Sequence, residues 1–376
     1  MDAVNEGTGP QSYTQNSSCQ RGALEAAQEI IKEEIAEKLD IKQLIASDSL
    51  NTFRIADLGC ATGPNTFLAV QTILEAVQPK LGSQNSQTFP EFQVFFSDLV
   101  SNDFNTLFKS LPPQSQIPYF AAGVPGSFLT QHKQIRNLSS VLHHFHGPLF
   151  PKASLHFVHS SCALNWLSQV PKPVAERTSS AWNAGKILYS ISSSREVTEA
   201  YSCQFANDMG LFLQARANEL VGGGLMALVI PGLPVGILFS ETRTALEFEL
   251  LGSTLMGMAN MGLVSKEKVD CFNLPVYFPS LEELKAIIER NREFRIEKME
   301  AISHPKMKTE PKQCISSIKA VFEGIIGKHF GSNVTEELFE QCSIKAAEPS
   351  VILLDTDMPT LHVLLVILKR NGNDNA

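Results

Sequence analysis

At 376 residues with 43% hydrophobic residues, the chain is long enough for one large domain, or a domain with a sizeable insertion, and for a substantial buried core. Its formal net charge of -8 and pI of about 5.7 argue against a nucleic-acid or anionic-membrane partner, either of which wants a basic face. The first residues carry Asp2 and Glu6 and no apolar signal region, and the longest apolar run, Leu225 to Phe239, is broken by Pro231 and Pro234. With seven cysteines and no C-x-x-C pair, a cytoplasmic protein with reduced thiols is expected.

Along the chain, Gln20 to Leu39 places apolar residues at helical spacing among alanines and glutamates, and predicts a helix. Strand-like apolar runs follow at Phe53–Leu58, Phe92–Leu99, Leu155–His159, Leu225–Ile230, Phe294–Met299 and His362–Leu368. Thr66 to Val77 continues as a helix from the turn after the first of these runs. Such alternation predicts an α/β, doubly wound sheet. The stretches Val235–Arg290 and Pro311–Ala347 are mostly helical in pattern and are expected to form a cap over the strand ends, where ligands bind in open α/β folds.

The strongest local signal is Asp57-Leu58-Gly59-Cys60-Ala61-Thr62-Gly63-Pro64-Asn65, a strand end, a glycine turn and a helix start. Glycine permits the turn and lets a ligand approach the backbone, while Asp57 supplies an acceptor at the strand tip. A dinucleotide site would want G-x-G-x-x-G against a pyrophosphate, and only Gly59 and Gly63 are present. A nicotinamide-dependent oxidoreductase is therefore disfavoured. Asp98, ending the second strand run, can accept both hydroxyls of a ribose.

Further strings complete the pattern: Ser12-Tyr13-Thr14-Gln15-Asn16-Ser17-Ser18-Cys19-Gln20, Gly126-Ser127-Phe128, and Ser160-Ser161-Cys162-Ala163-Leu164-Asn165-Trp166-Leu167-Ser168. With Val269-Asp270-Cys271-Phe272-Asn273-Leu274-Pro275 they make the chain, over nearly its full length, resemble the plant SABATH methyltransferases. The Ile230-Pro231-Gly232-Leu233-Pro234 string and His304-Pro305 look most like the loganic acid carboxyl methyltransferase branch of that family. The resemblance implies a Rossmann-like class I methyltransferase sheet with a helical cap, formed by 1–233 and 291–376, with 234–290 and helical parts of 171–221 and 311–347 as the cap. It also implies transfer of methyl from S-adenosylmethionine to a small plant carboxylic acid, an iridoid or terpenoid acid, and a homodimer.

The cofactor positions implied are Tyr13, Ser17, Asp57, Cys60, Asn65, Asp98, Leu99, Ser127 and Phe128. Gln20 and Trp166 are implied to grip the acceptor carboxylate as hydrogen-bond donors, with no general base, and Cys162 and Asn165 to shape the acceptor pocket. A magnesium site would map to Asn183, Asp270, Phe272 and Asn273, where one carboxylate and two amides make a thin oxygen shell. Residues 129–145 form an insertion atypical of the family, beside the predicted adenine site. The rival readings are an N-methyltransferase acting on xanthine-like substrates and a catalytically impaired splice or gene-model variant. Taken singly, Trp166 reads as a core aromatic and Gln20 as a solvated helix residue; only the surrounding strings give them a role.

Overall fold

The structure, a computed structural model, describes residues 4–46, 51–81, 89–113, 117–127, 149–190, 193–303, 311–348 and 358–372. Phe128, His304, Pro305 and the 129–145 insertion lie outside them. In chain order the helices and strands are α1 (Tyr13–Asn16), α2 (Ser18–Lys38), α3 (Ile41–Ala46), β1 (Thr52–Leu58), α4 (Pro64–Val77), β2 (Glu91–Asp98), α5 (Phe104–Lys109), β3 (Phe120–Pro125) and β4 (Leu155–Ser161). There follow α6 (Lys172–Ala175), α7 (Arg195–Glu219), β5 (Leu220–Gly232), α8 (Arg243–Asn260), α9 (Lys266–Asp270), α10 (Leu281–Asn291), β6 (Phe294–Ser303), α11 (Pro311–Phe330), α12 (Ser332–Ala346) and β7 (His362–Arg370).

The strands make a seven-stranded sheet in the order β3-β2-β1-β4-β5-β7-β6. Pairs from β3 through β5 are parallel, and β7 runs antiparallel between β5 and β6. The strand order reverses direction at the β1/β4 boundary, which in an open α/β sheet opens a crevice beyond the carboxyl ends of the strands. Asp57 lies beside His159 there, in register across the ladder.

The central strands are apolar throughout because helices cover both faces. On β5, Met226, Leu228 and Ile230 join one buried cluster and Leu225, Ala227 and Val229 the other. Residues of β7 alternate the same way, with Leu364, Val366 and Leu368 on the first side and Val363, Leu365 and Ile367 on the second. The second cluster includes α2 and α4 residues such as Ile31, Ile35, Val70 and Ile73. The first runs unbroken from the sheet through Phe205 and Phe212 of α7 into α8, α11 and α12.

Local signals set the element ends. Pro64 starts α4, where its missing N–H is not needed; Thr242 caps α8 by accepting from the Ala245 N–H at 3.2 Å. Gly232 is required where β5 crosses the chain: a Cβ there would lie 2.6 Å from the Pro279 carbonyl.

Candidate active site

Four strand ends meet at the crevice. The turn after β1 is held by Gly59 and Cys60, whose N–H groups both donate to the Ser97 carbonyl of β2, at 2.8 and 3.1 Å. Gly59 has φ +82°, a conformation that glycine adopts without Cβ strain. Ala61 also sits at positive φ (50°), and its N–H donates to Asp98 Oδ2 at 2.7 Å while its carbonyl accepts from Asn102 Nδ2 at 3.0 Å. The strained residue is thus fixed from both sides of its peptide. Asp98 Oδ1 accepts from the Leu99 N–H at 2.7 Å, and the Asp98 carbonyl from the Gly126 N–H at 2.8 Å, which brings Ser127 to the same rim.

Asp57 is buried, with one carboxylate oxygen accepting from Thr66 Oγ1 of α4 and the other 2.7 Å from His159 Nδ1 of β4. Asn65 Nδ2 donates to Ser17, reaching its carbonyl and its hydroxyl at 3.2 Å each, so α4 is tied to the start of α2. One cleft takes in Tyr13, Gln20, Asp57, Gly59, Cys60 and Asn65, together with His159 and Ser161. The N-terminal segment closes over it: the Tyr13 N–H donates to the Asn5 carbonyl, and the Asn5 N–H to Ala320 of α11, both at 3.0 Å.

Burial disfavours ionisation of the groups gathered here. It pushes the Tyr13 phenol well above its usual value, with Cys162, Asp98 and Asp57 adding to the effect, so this tyrosine is a neutral hydroxyl. Burial likewise pushes the Cys60 thiol well up, reinforced by Asp98 and Asp57, and the Cys162 thiol up to about 12. Neither is a nucleophile. Asp98 is pushed up to about 6 by burial, against the lowering effect of the Ala61 and Leu99 N–H groups.

The acceptor candidates stand beside this crevice. Cys162 follows β4 at φ 53°, its N–H bonded to the Val229 carbonyl at 2.8 Å. The loop beyond it is laced to residues 275–277 by Leu167 N–H to the Pro275 carbonyl at 2.7 Å and Tyr277 N–H to the Asn165 carbonyl at 2.8 Å. Trp166 packs on Phe322 of α11 with ring centroids 5.1 Å apart, and Phe248 of α8 meets the same Phe322 at 5.5 Å. Gln20 Oε1 and Asn165 Oδ1 are buried without a hydrogen-bond partner among the described residues. A buried amide left unpaired is costly, and both are groups that a polar ligand would satisfy.

Of the cofactor positions expected from sequence, Tyr13, Asp57, Cys60 and Asn65 line one cleft, Ser17 is bonded to Asn65, Asp98 is bonded to Ala61 of the cleft and to Leu99, and Ser127 follows Gly126, whose N–H bonds the Asp98 carbonyl. The glycine turn, the orphaned amide and the acidic strand ends fit a cationic, ribose-bearing cofactor. Sequence reasoning gave no site role to Thr66, to His159 or to Asn102, which opens the string Asn102-Asp103-Phe104-Asn105 shared with the family; only the cross-strand register pairs His159 with Asp57.

Of the expected magnesium set, Asn183 and Asn273 come together, as hydrogen-bond partners of each other. Asn183 Nδ2 donates to Asn273 Oδ1 at 2.7 Å and to the Leu188 carbonyl at 3.2 Å, while Phe272 packs against Phe330 at 4.9 Å. Among the described residues no group of three or more His, Cys, Asp or Glu is placed to hold a metal ion. An amide clasp between two loops is what these residues make, and it does not match a hard cation's oxygen shell. Incubation with a chelator is expected to leave the melting temperature unchanged, whereas Asn183→Ala, which strips the partner from buried Asn273, is expected to cost about 1–3 kcal/mol of stability in denaturant unfolding.

Comparison with known proteins agrees with this construction. The family described as SAM dependent carboxyl methyltransferase matches residues 2–371. A loganic acid O-methyltransferase of Catharanthus roseus is 44% identical, covering 96% of this chain and 92% of its own. A farnesoic acid carboxyl-O-methyltransferase of Arabidopsis thaliana is 40% identical, covering 97% of each. Among solved structures, a loganic acid methyltransferase with SAH superposes at a TM-score of 0.88 with 42% identity, over 99% of this chain and 100% of that one. A seven-stranded sheet with its glycine turn and acidic strand tips, matched end to end by such relatives, places this chain in the S-adenosylmethionine-dependent carboxyl methyltransferase family, the SABATH enzymes.

Proposed function

We propose that the protein methylates the carboxylate of a small plant acid, an iridoid or other terpenoid acid, to give its methyl ester. The observation that carries the reading is the junction of two sites: Gln20, whose amide oxygen is unpaired among the described residues, lines the cleft with Tyr13, Asp57 and Ser161, and Ser161 leads directly into the Cys162–Trp166 loop, where Asn165 holds a second such oxygen. Relatives named for loganic and farnesoic acids support the acid class. S-adenosylmethionine supplies the methyl group as a sulfonium when bound. In this reading Tyr13, Ser17, Asp57, Cys60, Asn65, Asp98, Leu99, Ser127 and Phe128 hold it, Asp98 taking the ribose.

Gln20 and Trp166 would present N–H donors to the acceptor carboxylate, the amide of Gln20 turning its NH2 toward the anion. A carboxylic acid of pKa about 4 is ionised at neutral pH, so no side chain has to remove a proton. The residues have only to orient one oxygen and keep water out, a placement effect that supplies roughly 7–11 kcal/mol in favourable cases. Cys162 and Asn165 are short side chains beside the indole and leave room for a bulky acid. Asn165 can both donate to and accept from a hydroxyl or carbonyl of it. The cap is taken as 234–290 with the helical parts of 171–221 and 311–347, and a cytoplasmic homodimer remains part of the reading, checked by light scattering and by localisation of a tagged protein.

The test is incubation with S-adenosylmethionine and a panel of terpenoid acids, aromatic acids and purines, with products identified by mass spectrometry. Methyl esters of acids are expected; transfer to ring nitrogen alone would replace the carboxyl reading with the N-methyltransferase one.

Asp98 gives a pH prediction. Its carboxyl is raised from 3.8 to about 6, so the folded protein holds this proton more tightly than the unfolded chain. Its contribution to stability is present below pH 3.8 and is lost as pH rises through about 6. Ribose hydroxyls donate to the ionised form, so affinity for S-adenosylhomocysteine is expected to fall as pH drops below about 6, with proton release on binding in that range. Calorimetry in buffers of different ionisation heat reads the release; Asp98→Asn is expected to bind more weakly and with a flat profile.

A further inference from the structure

We propose that His159, with Asp57, receives the α-ammonium group of the bound cofactor, making His159 a binding residue as well as the brace of Asp57. The inference rests on the cofactor reading above and extends it to a residue that no motif marks. His159 is 1% exposed and lines the same cleft as Asp57, Tyr13 and Gln20. Its Nδ1 lies 2.7 Å from Asp57 Oδ1. A carboxylate only accepts, so Nδ1 carries the proton, and in the neutral ring Nε2 is left with a lone pair. That Nε2 is buried and has no hydrogen-bond partner among the described residues.

Each Asp57 oxygen takes one bond, from His159 and from Thr66, and keeps capacity for another. The corner is therefore rich in acceptors and carries negative charge. A sulfonium has no N–H and cannot satisfy Nε2. Ribose hydroxyls fall to Asp98 on the neighbouring strand. The group of the cofactor that matches is the primary ammonium, a cation with three donors, able to bond a carboxylate and an imidazole lone pair together. A ring fixed at Nδ1 by Asp57 holds Nε2 in one direction, as supporting hydrogen bonds do for other ligand-binding histidines.

The test compares two ligands by calorimetry: S-adenosylhomocysteine, which carries the ammonium, and 5′-methylthioadenosine, which lacks the amino-acid portion. His159→Asn keeps a donor toward Asp57 and removes Nε2. Its affinity for S-adenosylhomocysteine is expected to fall about tenfold or more, with 5′-methylthioadenosine held within about twofold of wild type. His159→Gln, whose amide oxygen can reach the Nε2 position, is expected to recover part of the loss, and it takes the place of the first variant if that one does not fold. Equal weakening of both ligands, or no weakening of either, would overturn the assignment and leave His159 a brace. Failure of the wild-type protein to bind S-adenosylhomocysteine would instead overturn the cofactor reading beneath it.

Discussion

Trp166→Ala is expected to lower kcat/KM for the acid by about 100-fold or more while leaving the dissociation constant of S-adenosylhomocysteine within about threefold, because a hydrogen bond to a charged group contributes about 1.5–3 kcal/mol and loss of the indole also frees the acceptor to misalign. The structural grounds are specific. Trp166 lies on the loop laced to 275–277 and packs on Phe322 of α11, whereas the β1 turn and the Asn65–Ser17 contact hold the cofactor side. Phe322 also meets Phe248, so the truncated site keeps an aromatic wall without its donor. Trp166→Phe is the useful control: it restores packing but not the N–H, and it should recover stability with little of the turnover. Steady-state kinetics beside a binding isotherm decides the matter. Equal loss of cofactor affinity in Trp166→Ala would place the indole on the cofactor instead.

The same asymmetry between neighbours in sequence and neighbours in space governs what could be read without coordinates. Strands buried on both faces announce themselves as apolar runs, and β1, β2, β4, β5 and β7 all appear at the expected places, as does the half-buried edge strand β6. The short edge strand β3 does not, because one side of it faces solvent and Phe120 is 58% exposed. Apolar runs carry no direction, so the antiparallel setting of β7 was equally hidden. At the site, Asp57, Gly59 and Asn65 are contiguous enough to form a visible motif. The Asp57–His159 contact joins residues 102 apart in the chain and exists only through strand register. The amide pair is hidden for the same reason: residue types suited to oxygen ligation were visible at Asn183 and Asn273, but not that their amides face each other.

Glu219→Ala is expected to destabilise the fold by about 3–5 kcal/mol, the cost of leaving a buried charge without its partner, which is a large part of a typical total of about 5–15 kcal/mol. Arg216 and Glu219, at the end of α7, are 1% and 0% exposed and joined twice, Nε to Oε2 at 2.6 Å and Nη2 to Oε1 at 2.7 Å. Glu219 Oε1 also accepts from the Phe150 N–H at 3.1 Å, and its backbone carbonyl from the Ser154 N–H at 2.8 Å. The carboxylate thus pins the chain leading into β4 as well as neutralising the arginine. Arg216 Nη1 already lacks a partner, so no protein group among the described residues stands ready to replace the lost oxygens. Exchanging both residues together for apolar ones of similar volume, Arg216→Met with Glu219→Leu, is expected to recover most of the stability, since the desolvation cost of the pair disappears with its attraction. Thermal and urea unfolding of the single and double variants separates the two effects. A single variant within about 0.5 kcal/mol of wild type would show that water reaches the guanidinium and that the pair is not the buried clasp described here.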